Sequence, residues 1–283
     1  MHLSRQLALA CACAALSLGI AVAAPVAMVT DMHGASAMTQ KDKAKLTLMA
    51  YIEPGTEIQV EPGAKLTLTY FARAQEQTFS GPAKIRVQAD KVEVLQGASG
   101  SSRKLDPDNV SAAKQFEPAA RDRMTAGAFV MRSASPRLAL VGPVETRLSM
   151  AVPEFSWSAS KDVSEFKLTL MDGQGKVLRE ASVSGDSWKP AEALQYGRDY
   201  QWKVETAGGS AQSESAQAGF SLIGEASAKR LAKHRPGKDA SFSERLLFAA
   251  QLDNAGLKYE AMQQWRLLAA ERPEDAVLQK LAR

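Results

Sequence analysis

The chain has 283 residues, 35 Lys+Arg against 31 Asp+Glu, a formal net charge of +4 and only two cysteines. A balance this close to neutral, with both signs mixed along the chain, does not suggest a nucleic-acid binder. Both cysteines, Cys11 and Cys13, fall in the first turn-free apolar stretch, so zinc sites and nucleophiles built on cysteine are excluded from everything that follows it.

Residues 1–23 read as a secretory signal peptide. Met1 to Arg5 is a short basic start, Leu7 to Ala24 is apolar or small, and Ala21-Val22-Ala23 is an A-x-A site with cleavage after Ala23. The Ala-rich composition, Gly19 and the small-residue end argue against a retained membrane anchor. The expected mature chain starts at Ala24 in the periplasm, lacks cysteine and carries +3 once Arg5 is gone from the +4 total. Without disulfides, its core alone must hold it together.

Residues 24–97 are dominated by period-two patterning. Leu46-Thr47-Leu48, Ile58-Gln59-Val60, Leu66 to Tyr70, Ile85-Arg86-Val87 and Val92 to Leu95 are short alternating runs bounded by turn formers. Glu-Pro-Gly occurs twice, at Glu53-Pro54-Gly55 and Glu61-Pro62-Gly63. Pro at the second and Gly at the third position of a turn predicts type II geometry on either side of a strand. Such a run of short strands predicts a small sandwich or barrel. Residues 98–137 read as a linker with short helices, Asp106 being an N-cap followed by Pro107, and Phe129-Val130-Met131 can begin a strand.

Residues 138–224 carry a second set of strands, among them Glu154 to Trp157, Phe166 to Met171, Lys176 to Glu180, Asp199 to Glu205 and Gly219 to Leu222. Asp172-Gly173-Gln174-Gly175 signals a hairpin with positive φ at the Asp-Gly pair. Trp157 and Trp202 read as core anchors. Residues 225–239 hold a basic cluster, Lys229, Arg230, Lys233, His234, Arg235 and Lys238, read as a solvated linker that can also touch an anionic surface. Residues 240–283 switch to a helical period, with Leu246, Leu247, Ala250, Ala261, Trp265, Leu268, Leu278 and Leu281 at three- and four-residue steps. The fold expected is mostly β: two small β-sandwich or barrel domains in tandem with a short C-terminal α-helical hairpin.

Three resemblances sharpen this. Leu48, Ile52, Gly55, Ile58, Leu66, Leu68 and Ile85 fall in the order seen in the FecR-type periplasmic domain, which the first β segment resembles. Arg73-Ala74-Gln75-Glu76 stands where that family usually has an Asp-Gly hairpin. The family's sigma-factor-binding tail and membrane helix have no counterpart here, so anti-sigma signalling is not implied. Pro153 to Trp157 and Tyr196-Gly197-Arg198-Asp199-Tyr200-Gln201-Trp202 resemble a fibronectin type III or immunoglobulin-like domain with its corner tyrosine. Phe248-Ala249 and Leu252, then Ala261 with Trp265, Leu268 and Pro273 at offsets of 4, 7 and 12, resemble a single tetratricopeptide-type repeat. A lone repeat cannot bury its own face; it must dock on a neighbouring sandwich, a partner or a second copy.

Chemistry is sparse. After residue 23 the chain has only His33 and His234, neither with a His or Cys at metal-ligand spacing. Met28, Met32, Met38 and His33 offer soft copper donors, but no Met-x-Met spacing occurs and packing filler is the plainer reading. No nucleophile elbow, phosphate loop or zinc-protease motif is present. No catalytic, cofactor or metal residue is therefore assigned and no enzyme activity is expected. The expected role is an exported scaffold or signalling module acting by protein–protein contact, with Glu53, Glu61, Phe248, Trp265 and Leu268 as contact residues and an envelope protein or a second copy as partner. Binding of envelope carbohydrate such as peptidoglycan, through Tyr70, Phe71, Tyr196 and Arg198, is the alternative.

Overall fold

A computed structural model describes residues 24–34, 37–39, 44–116, 138–161, 163–207 and 214–283. The signal-peptide stretch and the part of the 98–137 linker beyond residue 116, with Phe129 to Met131, lie outside these. Among the described residues strand outweighs helix, in four sheets with five helices, so the fold is mostly β.

Nine strands build the first sandwich: β1 (Ala27–His33), β2 (Ala37–Thr39), β3 (Tyr51–Ile52), β4 (Glu57–Val60), β5 (Lys65–Tyr70), β6 (Gln75–Ser80), β7 (Ala83–Val87), β8 (Val92–Gln96) and β9 (Ser101–Lys104). They form a five-stranded sheet, β3-β1-β5-β6-β9, and a four-stranded one, β2-β4-β7-β8. Ala27, Val29, Ile58, Val60, Leu66, Leu68, Phe79, Ile85 and Val87 fill the core between them. Each Glu-Pro-Gly is a tight turn, as expected. Thr56 N–H reaches the Glu53 carbonyl at 3.3 Å and Ala64 N–H the Glu61 carbonyl at 3.0 Å. Gly55 and Gly63 take φ of 87° and 80°, which a side chain would resist.

Strand β5 departs from simple alternation. Leu66 and Leu68 point into the sandwich, yet Thr67 and Thr69 on the other face are buried too. Their hydroxyls pair with Thr78 and Thr30, each at 2.9 Å, which satisfies polar groups that lose water. Something must cover that face, and helices do.

The second sandwich has β10 (Leu138–Gly142), β11 (Thr146–Leu148), β12 (Phe155–Ala159), β13 (Glu165–Asp172), β14 (Val177–Ser184), β15 (Ser187–Trp188), β16 (Asp199–Thr206) and β17 (Ser215–Leu222). Its sheets are β10-β12-β15 and β11-β17-β16-β13-β14. Phe155, Trp157, Phe166, Trp202 and Phe220 pack as an aromatic core, with Phe155 5.0 Å from Trp202 and 5.5 Å from Phe220. The Trp202 indole donates to the Pro143 carbonyl at 2.7 Å. Tyr200 hydroxyl accepts from Gln195 N–H at 2.9 Å and faces the Gln195 carbonyl at 3.0 Å, pinning the corner before β16. The β13–β14 hairpin stands where expected, with a different turn. Asp172 carboxylate accepts the N–H groups of Gln174 and Lys176, and the positive φ falls at Gly175 rather than at Gly173. The Asx contact closes the loop two residues later than an Asp-Gly type I′ turn would.

The helices are not an appendage. α1 (Pro107–Lys114), α2 (Glu225–Lys233), α3 (Phe242–Asn254), α4 (Lys258–Glu271) and α5 (Ala276–Leu281) share one core. The segments read as linkers at 98–137 and 225–239 supply α1 and α2, which pack Val110, Ala113, Ala228 and Leu231 into it. Met28 and Met49 enter the same core from the first sandwich. Ser241 and Glu244 form a capping box at the start of α3.

This helical hub holds both sandwiches. Toward the first, α3 lies across β1. Arg103 on β9 reaches Glu76, Ser241 and Glu244, Arg272 reaches Asp31 and His33, and the Tyr51 hydroxyl donates to carbonyls at Ala113 and Phe116. Toward the second, α4 packs on β11, and the buried Glu260 carboxylate accepts from Ser149 N–H (2.6 Å), Ser149 hydroxyl (2.6 Å) and Met150 N–H (3.2 Å). Next to it the Tyr259 ring rests on Gly142, where an added Cβ would fall 2.0 Å from a ring carbon.

Glu260→Ala removes an acceptor shared by buried donors, so stability should fall by about 3 kcal/mol in denaturant unfolding, with the slope unchanged. Gly142→Ala should cost about 2 kcal/mol by forcing the Tyr259 ring away. In a Tyr259→Ala background the same change should cost almost nothing, and a double-mutant cycle checks this.

Candidate interaction surfaces

The expected contact residues separate into two groups. Phe248, Trp265 and Leu268 are core: all three are 0–1% exposed, with the Trp265 ring tilted against Phe116 at 5.6 Å. Of the three ways a lone repeat can hide its apolar face, this chain uses its own α1, α2 and α5 and the two sandwiches, so these side chains are not a surface for a partner. Trp265 also donates its indole N–H to the buried Asp253, which Lys258 neutralises. Glu53 and Glu61 do face solvent or half-face it, but at opposite ends of β4, one before each turn. They are not presented on one rim.

The carbohydrate suspects scatter as well. Tyr70 is buried, its hydroxyl directed at the carbonyls of Gln88 and Lys91 at 2.9 and 2.7 Å. Phe71 packs beside Tyr51 on the hub, and Tyr196 lies between the hub and the second core. Only Arg198 lines a groove. The methionines diverge too: Met28 enters the hub while Met32 packs on the first sandwich core.

Two features were not visible in the sequence. The first is a charged junction 128 residues apart in the chain. His234, just after α2, places Nδ1 2.5 Å from Asp106 and Nε2 2.9 Å from Asp108, while Asn109 Nδ2 holds the His234 carbonyl at 3.1 Å. Burial works against ionisation of Asp106, but the His234 ring and the N–H groups of Asp108 and Asn109 outweigh it, and the carboxyl stays below the usual range. With a carboxylate on each side of the ring, both nitrogens are engaged, and the arrangement acts as a clamp between α1 and α2. The three residues are also the one His-and-carboxylate grouping of metal-ligand proximity among the described residues. One candidate ligand atom from each lies within 4.8 Å of the others, while the carboxylates engage both ring nitrogens directly.

The second feature is β14. It is the last strand of its sheet and pairs only with β13 among the described residues. Val177 and Leu178 are 51% and 43% exposed, unusual for large apolar side chains on a strand. Beside it runs a groove of about 750 Å³ lined by Leu178, Arg179, Glu192, Arg198 and Tyr200. Arg179 bonds Glu192 across the groove at 2.5 Å and holds its carboxyl below the usual range.

No protein-family model matches the chain, and no curated protein matches it. Among solved structures, CopC from Methylosinus trichosporium OB3b is similar, with 12% identity over 31% of this chain and 94% of that chain and a TM-score of 0.25. A likeness at that score carries no argument here. No helix among the described residues is long and apolar enough to cross a membrane.

Burial pushes the Tyr70 phenol up to about 12, with the Asp90 carboxylate acting in the same direction. The unfolded chain releases this proton from about pH 10, the folded chain only near 12, so this contribution to stability is complete below pH 10 and lost as pH rises to about 12. Wild type should lose roughly 2–3 kcal/mol more than Tyr70→Phe across that window in urea titrations.

Proposed function

We propose that this is an exported, periplasmic, non-enzymatic module that works by protein–protein contact, the partner adding an extended segment to β14. The free edge of β14 carries this reading. An unpaired strand edge offers a row of backbone donors and acceptors, which is the template for strand addition. Natural edges are usually blunted by lysines, prolines or bulges facing outward. β14 has eight residues without proline; its pairing with β13 shifts register at Leu178, leaving Arg179 to Ser184 as the regular stretch of edge, and its exposed side chains include Val177 and Leu178. The adjacent groove gives an incoming segment side-chain recesses, with Arg198 and the Arg179–Glu192 pair at its rim.

The rest of the architecture suits a scaffold. Both sandwiches are fixed to the hub, so the edge is displayed on a rigid support. The strand order around the two Glu-Pro-Gly turns supports the resemblance to the FecR-type domain. The Tyr200 corner supports the resemblance to the fibronectin type III or immunoglobulin class, and the α3–α4 hairpin supports the tetratricopeptide-like one. The signal-peptide reading of residues 1–23 supports export.

A photo-reactive residue at Leu178 should cross-link one discrete partner in the cells that express the chain. The same probe at Leu267, exposed on α4, should not, and neither should Leu178 in a Val177→Lys, Arg179→Pro background whose circular dichroism is unchanged. Glu53→Lys with Glu61→Lys should leave both folding and the cross-link intact. Identical products from Leu178 and Leu267 would sink the assignment of β14.

A further inference from the structure

Helix α2 and the chain behind it present a second surface of quite different character. Between residues 225 and 240 stand Lys229, Arg230, Lys233, Arg235 and Lys238, against Glu225 and Asp239. All five basic residues are exposed. Ala228 and Leu231 are buried in the hub, which turns Lys229, Arg230 and Lys233 outward on one helix face. Lys229 is paired with Glu225, but Arg230, Lys233, Arg235 and Lys238 have no ion-pair partner among the described residues.

This is not a loose basic tether. The His234 ring is held by Asp106 and Asp108 and its carbonyl by Asn109, so the chain is pinned at the end of α2. Arg235 lies 5.4 Å over the Phe248 ring. Lys233, Arg235 and Lys238 line a recess of about 420 Å³ with Arg103. Asp106, Asp239 and Glu244 line it too, and Arg103 is paired with Glu76 and Glu244, so the unpaired positive charge is that of the three residues at and after the end of α2. Holding like charges together on a fixed surface raises the local potential and makes sense against a partner of opposite sign.

We infer that this face docks on an anionic phospholipid bilayer. Several lysines and arginines along a surface helix match the spread, planar negative charge of such a membrane. The apolar side of α2 is already spent on the hub, and only the small Ala226 and Ala232 join the basic side chains outside. The contact is therefore electrostatic, without insertion, and reversible by salt. A soluble acidic chain would need a groove lined by cations alone, whereas the recesses beside α2 carry Asp106, Asp108, Asp239 and Glu244 among their lining and Lys229 stands outside them. The inference uses a different surface from the β14 edge and stands or falls separately from the protein-contact reading.

Co-sedimentation of the full chain with vesicles tests it. Binding to phosphatidylglycerol-rich vesicles should exceed binding to phosphatidylcholine vesicles, which report any pull from the apolar start of the chain. Raising salt from about 0.1 M to about 0.5 M should abolish the difference. The variant K229E/R230E/K233E should lose roughly tenfold or more of the phosphatidylglycerol-dependent binding. The neutral variant K229Q/R230Q/K233Q, which keeps the helix and avoids new repulsion, should lose a smaller part. Equal binding to both vesicle types, or full binding by both folded variants, would overturn the inference. So would competition by soluble polyglutamate at a charge concentration below that of the lipid, since the site would then prefer a soluble polyanion.

Discussion

Burial of the α3–α4 apolar face is the constraint on which the rest of the molecule depends. Two helices carrying Phe248, Leu252, Ala261, Trp265 and Leu268 expose more apolar surface than a hairpin can hide. Here α1 is brought in from the middle of the chain, α2 from the end of the second sandwich, and α5 from the terminus. Once that core exists, its outer sides become docking platforms. The first sandwich lays its five-stranded sheet on one, and β11 with its preceding corner meets the other.

The two seams are sealed by different chemistry. Against the first sandwich, the sheet face is polar: Thr30, Thr67, Thr69 and Glu76 are buried there. Paired hydroxyls satisfy the threonines and Arg103 meets one oxygen of Glu76, while Glu76 Oε2 and Arg272 Nε find no partner among the described residues. Against the second sandwich, one carboxylate does most of the work. Glu260 meets backbone N–H groups and a hydroxyl but no cation among the described residues, so its orientation is fixed by directional bonds. Fixing both sandwiches this way leaves β14 and the outer face of α2 exposed on a rigid support.

Much of the local structure was legible in the amino-acid order. Most period-two runs gave strands, although Leu46-Thr47-Leu48 runs from an isolated bridge at Lys45 into a turn at Leu48-Met49, its leucines buried without a strand. The prolines and glycines of both Glu-Pro-Gly triplets turned the chain, and Asn254-Ala255-Gly256 parted α3 from α4. These features are set by neighbours in sequence, through φ preference and side-chain alternation. What stayed hidden was set by distant residues. Thr67 and Thr69 look like solvent-facing positions of β5 and become buried only because the hub lies over them. Lys229 to Lys238 look like a solvated linker, yet Ala228 and Leu231 are enough to fold and seat a helix when a core waits for them. Phe248, Trp265 and Leu268 read as an apolar face in need of a cover, and nothing in their spacing could say that the cover was α1. The His234 junction joins residues with no shared motif, so spacing rules were blind to it.

The link from Arg272 to Asp31 spans 241 residues. It ties nearly the last turn of the chain to the first strand, and the loop it closes contains both sandwiches. Each sandwich can collapse on short-range pairings as it emerges, but the polar face of the first must stay wet until α3 arrives. The seam of the first sandwich is therefore completed only after α3 and α4 have been made. A chain stopped before α3 would carry an unsealed threonine-rich sheet and a lone α1, and would be recognisable to quality-control proteases by that exposed seam.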